Sequence, residues 1–171
     1  LPAATAELAA IAAALAPPPT VLAGPAATAG AVRALHAGFR VLHFATHATI
    51  DPATPLRSAL ALTAGADDAG QLRADEIYRL HLAAELVVLS ACRTGAGAPS
   101  ASEGPLSLAR AFLFAGAGAV VATLWDVRDA DGAEVMAALY GELARGRPIG
   151  HALAEAKRAR IARGAAPARW A

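Results

Sequence analysis

Glu85-Leu86-Val87-Val88-Leu89-Ser90-Ala91-Cys92-Arg93-Thr94-Gly95 decides how the rest of the chain reads. Its first half is a short run of branched apolar residues, the pattern of a strand buried on both faces. Its second half is a small-residue loop, and the only cysteine of the protein falls where one becomes the other. In α/β sheets reactive groups collect at strand ends, because the strand fixes the side chain and the loop leaves it open to a substrate.

Working outward, a second run of the same kind is Phe39–Thr46 (FRVLHFAT), with His47 directly after it. Ala119–Trp125 (AVVATLW) is a third. Thr20–Ala23 and Ala59–Leu62 are weaker strand candidates. Between them lie helical stretches: Thr5–Leu15 with Leu8, Ile11 and Leu15 on one face, Thr28–Leu35 capped by Thr28, Ala74–Leu80, Leu106–Ala115, Ala130–Leu143, and Ile149–Ala162. Asp51-Pro52 and Thr54-Pro55 mark Ala48–Ser58 as a loop, and Gly65–Gly70 as well as Gly95–Gly104 are further connections. Strands that alternate with helices predict a mostly parallel sheet with helices on both faces. Parallel strands place their C-terminal ends on one edge, which brings His47 and Cys92 together.

The bulk numbers exclude several function classes. The net charge is +1 over 171 residues, which gives no electrostatic case for nucleic acid or a membrane surface. Hydrophobic residues make up 56%, but most are alanine, and no apolar run approaches the ~20 residues that cross a bilayer. Leu1–Leu15 lacks a basic start and contains Glu7, so it reads as an amphipathic helix rather than a signal peptide. One cysteine excludes an internal disulfide framework and fits a reducing, cytoplasmic setting. The absence of an initiating Met suggests a single domain cut from a longer protein.

A cysteine attacks as its thiolate, and a histidine within hydrogen-bond reach can take the thiol proton. Backbone N–H groups beside Cys92 and His47 can face a developing oxyanion. Nucleophile, base and oxyanion donors are the minimum for acyl transfer. His43 and His47 are four apart, but on a strand that is roughly 13 Å, too far for one metal ion, and no cofactor is called for. Asp126 and Asp129 follow a strand, on the same predicted edge as His47 and Cys92, and read first as helix N-caps; a substrate pocket is the alternative. Glu103 and Asp51 in flanking loops are weaker pocket candidates, and Trp125 reads as packing. Ser90 is expected to face away from the nucleophile, and Thr46 is expected to be structural. His36, His81 and His151 show no partner.

Four blocks in order resemble the CHAT domain family of caspase- and separase-like cysteine peptidases. They are His43-Phe44-Ala45-Thr46-His47, Leu89–Gly95, Ala115-Gly116-Ala117, and Leu124-Trp125-Asp126-Val127-Arg128-Asp129. The segment from Leu1-Pro2 and the terminal Ala168-Arg169-Trp170-Ala171 extend the resemblance over nearly the whole chain. The resemblance implies a three-layer αβα sandwich, caspase-like, truncated at both ends relative to the family. It implies Cys92 as nucleophile and His47 as general base, with the N–H groups of Cys92 and Ala48 as the oxyanion hole. Ala48 stands where the family usually has glycine. Asp126, Asp129 and Glu103 become substrate-binding candidates, and the separase likeness implies a pocket for a basic substrate side chain at Asp126 and Asp129. The implied activity is a cysteine endopeptidase acting on a protein or peptide. Its setting is a regulated effector in signalling or bacterial defence, joined to a sensor module such as TPR repeats. The alternative is a catalytically silent CHAT fold serving as an interaction module.

Overall fold

The computed structural model describes residues 2–35, 38–65, 68–93, 104–123 and 127–170. Among these residues it is a mixed α/β fold with a five-stranded sheet in the order β3-β2-β1-β4-β5. The strands are β1 (Val41–Thr49), β2 (Ala59–Ala61), β3 (Gln71–Arg73), β4 (Leu86–Arg93) and β5 (Val120–Ala122). β1, β4 and β5 pair in parallel, while β2 pairs antiparallel with both β1 and β3. Four of the five strands therefore run one way, the mostly parallel sheet that the strand–helix alternation predicts. The helices are α1 (Pro2–Ala14), α2 (Ala29–Arg33), α3 (Ala74–Ile77), α4 (Gly104–Phe114), α5 (Asp129–Ala144) and α6 (Ile149–Ala162).

The chain forms two compact units, one of Leu22–Trp125 and one of Leu1–Val21 with Asp126–Ala171. In the first, one face of the sheet carries Leu42, Phe44, Val87 and Leu89 into a core. Ala29 and Val32 of α2 and Leu108, Ala111 and Phe112 of α4 complete it. The Phe44 and Phe112 rings meet at 5.3 Å between centroids. Thr28 caps α2 as expected, its hydroxyl accepting from the Ala31 N–H at 3.0 Å.

In the second unit α1 packs on α5 and α5 on α6. The buried stripe of α1 runs through Glu7 and Ile11 rather than Leu8 and Leu15. Burial, and then the negative Glu7 carboxylate, push the Tyr140 hydroxyl up from its ordinary value. Asp131 is only 1% exposed and gathers three guanidinium groups: Arg128 from the helix cap, Arg160 from α6, and Arg169 from the short C-terminal turn. Arg169, then Arg128, hold its carboxyl far below the usual carboxylate range.

Several boundaries differ from the sequence reading. Thr20–Ala23 is not a strand; Val21 and Leu22 are exposed and face no pairing edge. β3 is an additional strand, too short and too polar at Gln71 and Arg73 to show a period. His47, Ala48 and Thr49 belong to β1 rather than to a following loop, because β2 folds back and pairs His47 with Ala61, Ala48 with Leu60 and Thr49 with Ala59.

The turn from α4 to β5 is fixed by Gly116. At φ +108°, a Cβ there would stand 2.1 Å from the Leu82 carbonyl oxygen. Gly146 also has positive φ, +75°, but nothing lies within 4 Å of its Cβ position. Gly116→Ala is therefore expected to destabilise the fold by about 3 kcal/mol, and Gly146→Ala by about 1 kcal/mol. Urea denaturation of the two variants measures the difference, and equal losses would contradict the close approach.

Asp131 yields a pH prediction. Its folded pKa is depressed, so its contribution is full above the unfolded value of about 4 and is lost as pH falls below it. Asp131→Asn is expected to lower Tm at pH 7 and to flatten the fall of Tm between about pH 4 and pH 2. Thermal melts of both proteins across that window check it.

Candidate functional site

β1 and β4 pair in unbroken parallel register from Val41–Leu86 to Ala48–Arg93. The ladder opens at the start of the strands, where the Glu85 and Leu86 N–H groups both donate to the Arg40 carbonyl. The Arg40 guanidinium also forks onto the Glu85 carboxylate at 2.9 and 2.8 Å. Seven residues after Arg40, the same register pairs His47 with Cys92. Their Cα positions are thus neighbours on adjacent strands, which lie about 4.8 Å apart. Paired residues of a parallel ladder share the phase of the pleat. His47 and Cys92 occupy the phase opposite to the Leu42, Phe44, Val87 and Leu89 core.

The His47 side chain is half-buried. Its Nδ1 is shut from solvent and has no hydrogen-bond partner among the described residues. A buried imidazole nitrogen without a partner is costly, and it is relieved by any donor or acceptor brought beside it. Next to it, Thr46 turns to the other phase and its hydroxyl donates to the Ala61 carbonyl. That bond ties β1 to β2 at the residue before the histidine, the structural role expected for Thr46. His43 lies on the phase of His47 with Val88 as register partner. Among the described residues no cluster could hold a metal ion.

The expectation for Ser90 is corrected. β4 continues through Arg93, so Ser90 and Cys92 are two apart on one strand and share a phase. Ser90 pairs with Ala45, one rung of that phase below His47–Cys92. His151 also has a partner: its Nε2 is 3.6 Å from Glu155. His81 is exposed, and His36 lies outside the described residues.

The oxyanion candidates sit deeper in the sheet than a loop would place them. Ala48 is 4% exposed and stands between Leu60 on one side and Arg93 on the other. Along β4 the N–H groups alternate, Leu86 to β1 and Val87 towards β5. The same alternation turns the Cys92 N–H towards β1. Both N–H groups thus belong to ladder positions, because the β1–β4 pairing outruns the strand ends that the sequence suggests.

The acidic candidates divide. Glu103 and Asp126 lie outside the described residues, as does Trp125. Asp129 is the first residue of α5, and Arg128, not an aspartate, is its N-cap, with no capping side-chain bond. Asp51 spends its Oδ1 on the Ala53 and Thr54 N–H groups at 3.0 and 2.8 Å, closing the turn after β1. Its own N–H donates to the hydroxyl of Ser58, a fully buried residue that composition alone did not single out. Ser58 also accepts the Ala74 N–H on its carbonyl, so it joins the loop after β1 to the start of α3.

The family model described as the CHAT domain matches residues 1–171, the whole chain. No curated protein matches the sequence at a significant level.

Thr46→Val keeps the β-branched shape and removes the hydroxyl that reaches Ala61. It is expected to lower stability by about 1 kcal/mol and to speed amide exchange at the β1–β2 end, while Thr46→Ser leaves both near the parent values. Denaturation together with exchange measured by NMR tests this; equal behaviour of the two variants would show that the hydroxyl holds nothing.

Proposed function

The chain belongs to the CHAT domain family, and from that premise we propose that it is a cysteine endopeptidase in which Cys92 is the nucleophile and His47 the general base. The observation that carries the reading is the register pairing of His47 with Cys92, beside a buried His47 Nδ1 that has no hydrogen-bond partner among the described residues. His47 takes the thiol proton, and the Cys92 thiolate attacks the carbonyl carbon of a peptide bond. The C–N bond breaks, the leaving nitrogen receives the proton from His47, and a thioester remains. Water, deprotonated by His47, hydrolyses the thioester and returns the thiol. The N–H groups of Cys92 and Ala48 hold the oxyanion once the last rungs of the β1–β4 ladder open to a substrate. No cofactor enters the cycle, and the substrate is a protein or peptide.

The in-ladder placement of those two N–H groups favours a second reading, a catalytically silent CHAT domain that acts through its surfaces.

The single cysteine makes the test direct. Iodoacetamide is expected to label Cys92 at least ~10-fold faster than a free thiol at pH 7, and His47→Ala to abolish that advantage. A peptide aldehyde is expected to bind the parent protein but not Cys92→Ala. Labelling at the free-thiol rate, unchanged by His47→Ala, would sink the peptidase reading in favour of the silent one.

A further inference from the structure

α4 ends in an unusual surface. Phe114 is 75% exposed and Leu113 47% exposed, although both belong to a helix whose Leu108, Ala111 and Phe112 fill the core. Arg110 is exposed as well, and its spacing of three and four residues puts it on the same face as Leu113 and Phe114. The ring of Tyr78, just beyond α3, meets Phe114 edge-on at 5.2 Å. Arg79 follows Tyr78 and is exposed. Tyr78, Arg110, Leu113 and Phe114 therefore adjoin, two aromatic rings, a leucine and a guanidinium group, with Arg79 next to Tyr78 in the chain.

Among the described residues, no carboxylate pairs with Arg79 or Arg110. The two carboxylates of α3 are committed elsewhere. Asp75 pairs with Arg73 at 2.9 Å, and Glu76 reaches Arg33 at 2.6 Å and the Arg73 N–H at 2.9 Å. Apolar anchors rimmed by cations of one sign complement a ligand with the opposite arrangement, an apolar stripe flanked by carboxylates. Aromatic and arginine side chains are also the residues in which interface energy concentrates.

We propose that the α3–α4 surface built on Tyr78, Arg79, Arg110, Leu113 and Phe114 docks an acidic amphipathic helix of a partner protein. The partner's apolar stripe covers Phe114 and Leu113, and its glutamates or aspartates pair with Arg79 and Arg110. The surface lies on the core side of the sheet, opposite to the phase of His47 and Cys92, so docking needs no thiol chemistry and does not rest on the peptidase reading.

The test uses two fluorescein-labelled helical peptides of about 16 residues with the same Leu/Phe stripe at helical spacing, one flanked by Glu and one by Lys. In anisotropy titrations against the full chain, the Glu peptide is expected to bind at least ~10-fold more tightly than the Lys peptide. Phe114→Ala, and separately the double variant Arg79→Glu/Arg110→Glu, are each expected to weaken the Glu peptide ~10-fold or more. Arg158→Glu, at an exposed position of α6, and Cys92→Ala are expected to leave binding unchanged. Circular dichroism of each variant confirms folding. No binding of the Glu peptide, equal binding of both peptides, or indifference to the variants would overturn the proposal. So would tighter, Arg79/Arg110-dependent binding of a single-stranded RNA, or a Phe114-dependent dimer in sedimentation that occupies the patch.

Discussion

The parallel pairing of β1 with β4 is the constraint on which the rest depends. Eight consecutive residue pairs are held in one register. That register fixes the core, because it places Leu42 and Phe44 on the same side as Val87 and Leu89, where α4 can cover them. It equally fixes what is excluded from the core, since a slip by one residue would turn every side chain of a strand to the other face. His47 and Cys92 are neighbours for no local reason of their own. They are neighbours because the whole ladder, which opens where the Arg40 carbonyl accepts from Glu85 and Leu86, keeps one register as far as Ala48 and Arg93.

The two units solve burial differently. The sheet unit uses branched and aromatic side chains against alanines, so that helices approach closely. The helical unit buries fewer large residues and places a carboxylate at its centre, Asp131, with Arg128, Arg160 and Arg169 around it. Buried charge of this kind is tolerated because each partner is hydrogen-bonded, and it gives direction to a contact that alanine faces alone leave loosely specified. With hydrophobic content dominated by alanine, specificity rests on polar hubs: Asp131 in one unit, Ser58 and the Thr46 hydroxyl in the other.

Much of this was legible in the chain. The branched runs of Val41–Thr46 and Leu86–Ala91 read as buried strands, Thr28 read as a cap, and the alternation of strands and helices read as a mostly parallel sheet. The order of four short blocks pointed to the CHAT family, and the family match spans the chain. Strand ends were not legible. β1 extends to Thr49 only because β2 returns to pair with it, and partners at Leu60 and Ala59 leave no mark on Ala48 or Thr49 themselves. β3 was missed because three residues cannot display a period. Arg128 took the cap position that Asp126 or Asp129 would be expected to fill, since the backbone of a helix start is set by its packing as much as by its capping residue.

The sequence by itself determined the fold class, the family and the two residue types that acyl transfer requires, because these depend on periodicity, residue chemistry and order along the chain. Only the tertiary structure decided that His47 and Cys92 are register partners, that Ser90 shares their phase, and that the N–H groups of Ala48 and Cys92 lie within a ladder. Such facts are pairings between distant segments. The energy that selects one register is spread over a whole strand and its core, so no single residue announces it.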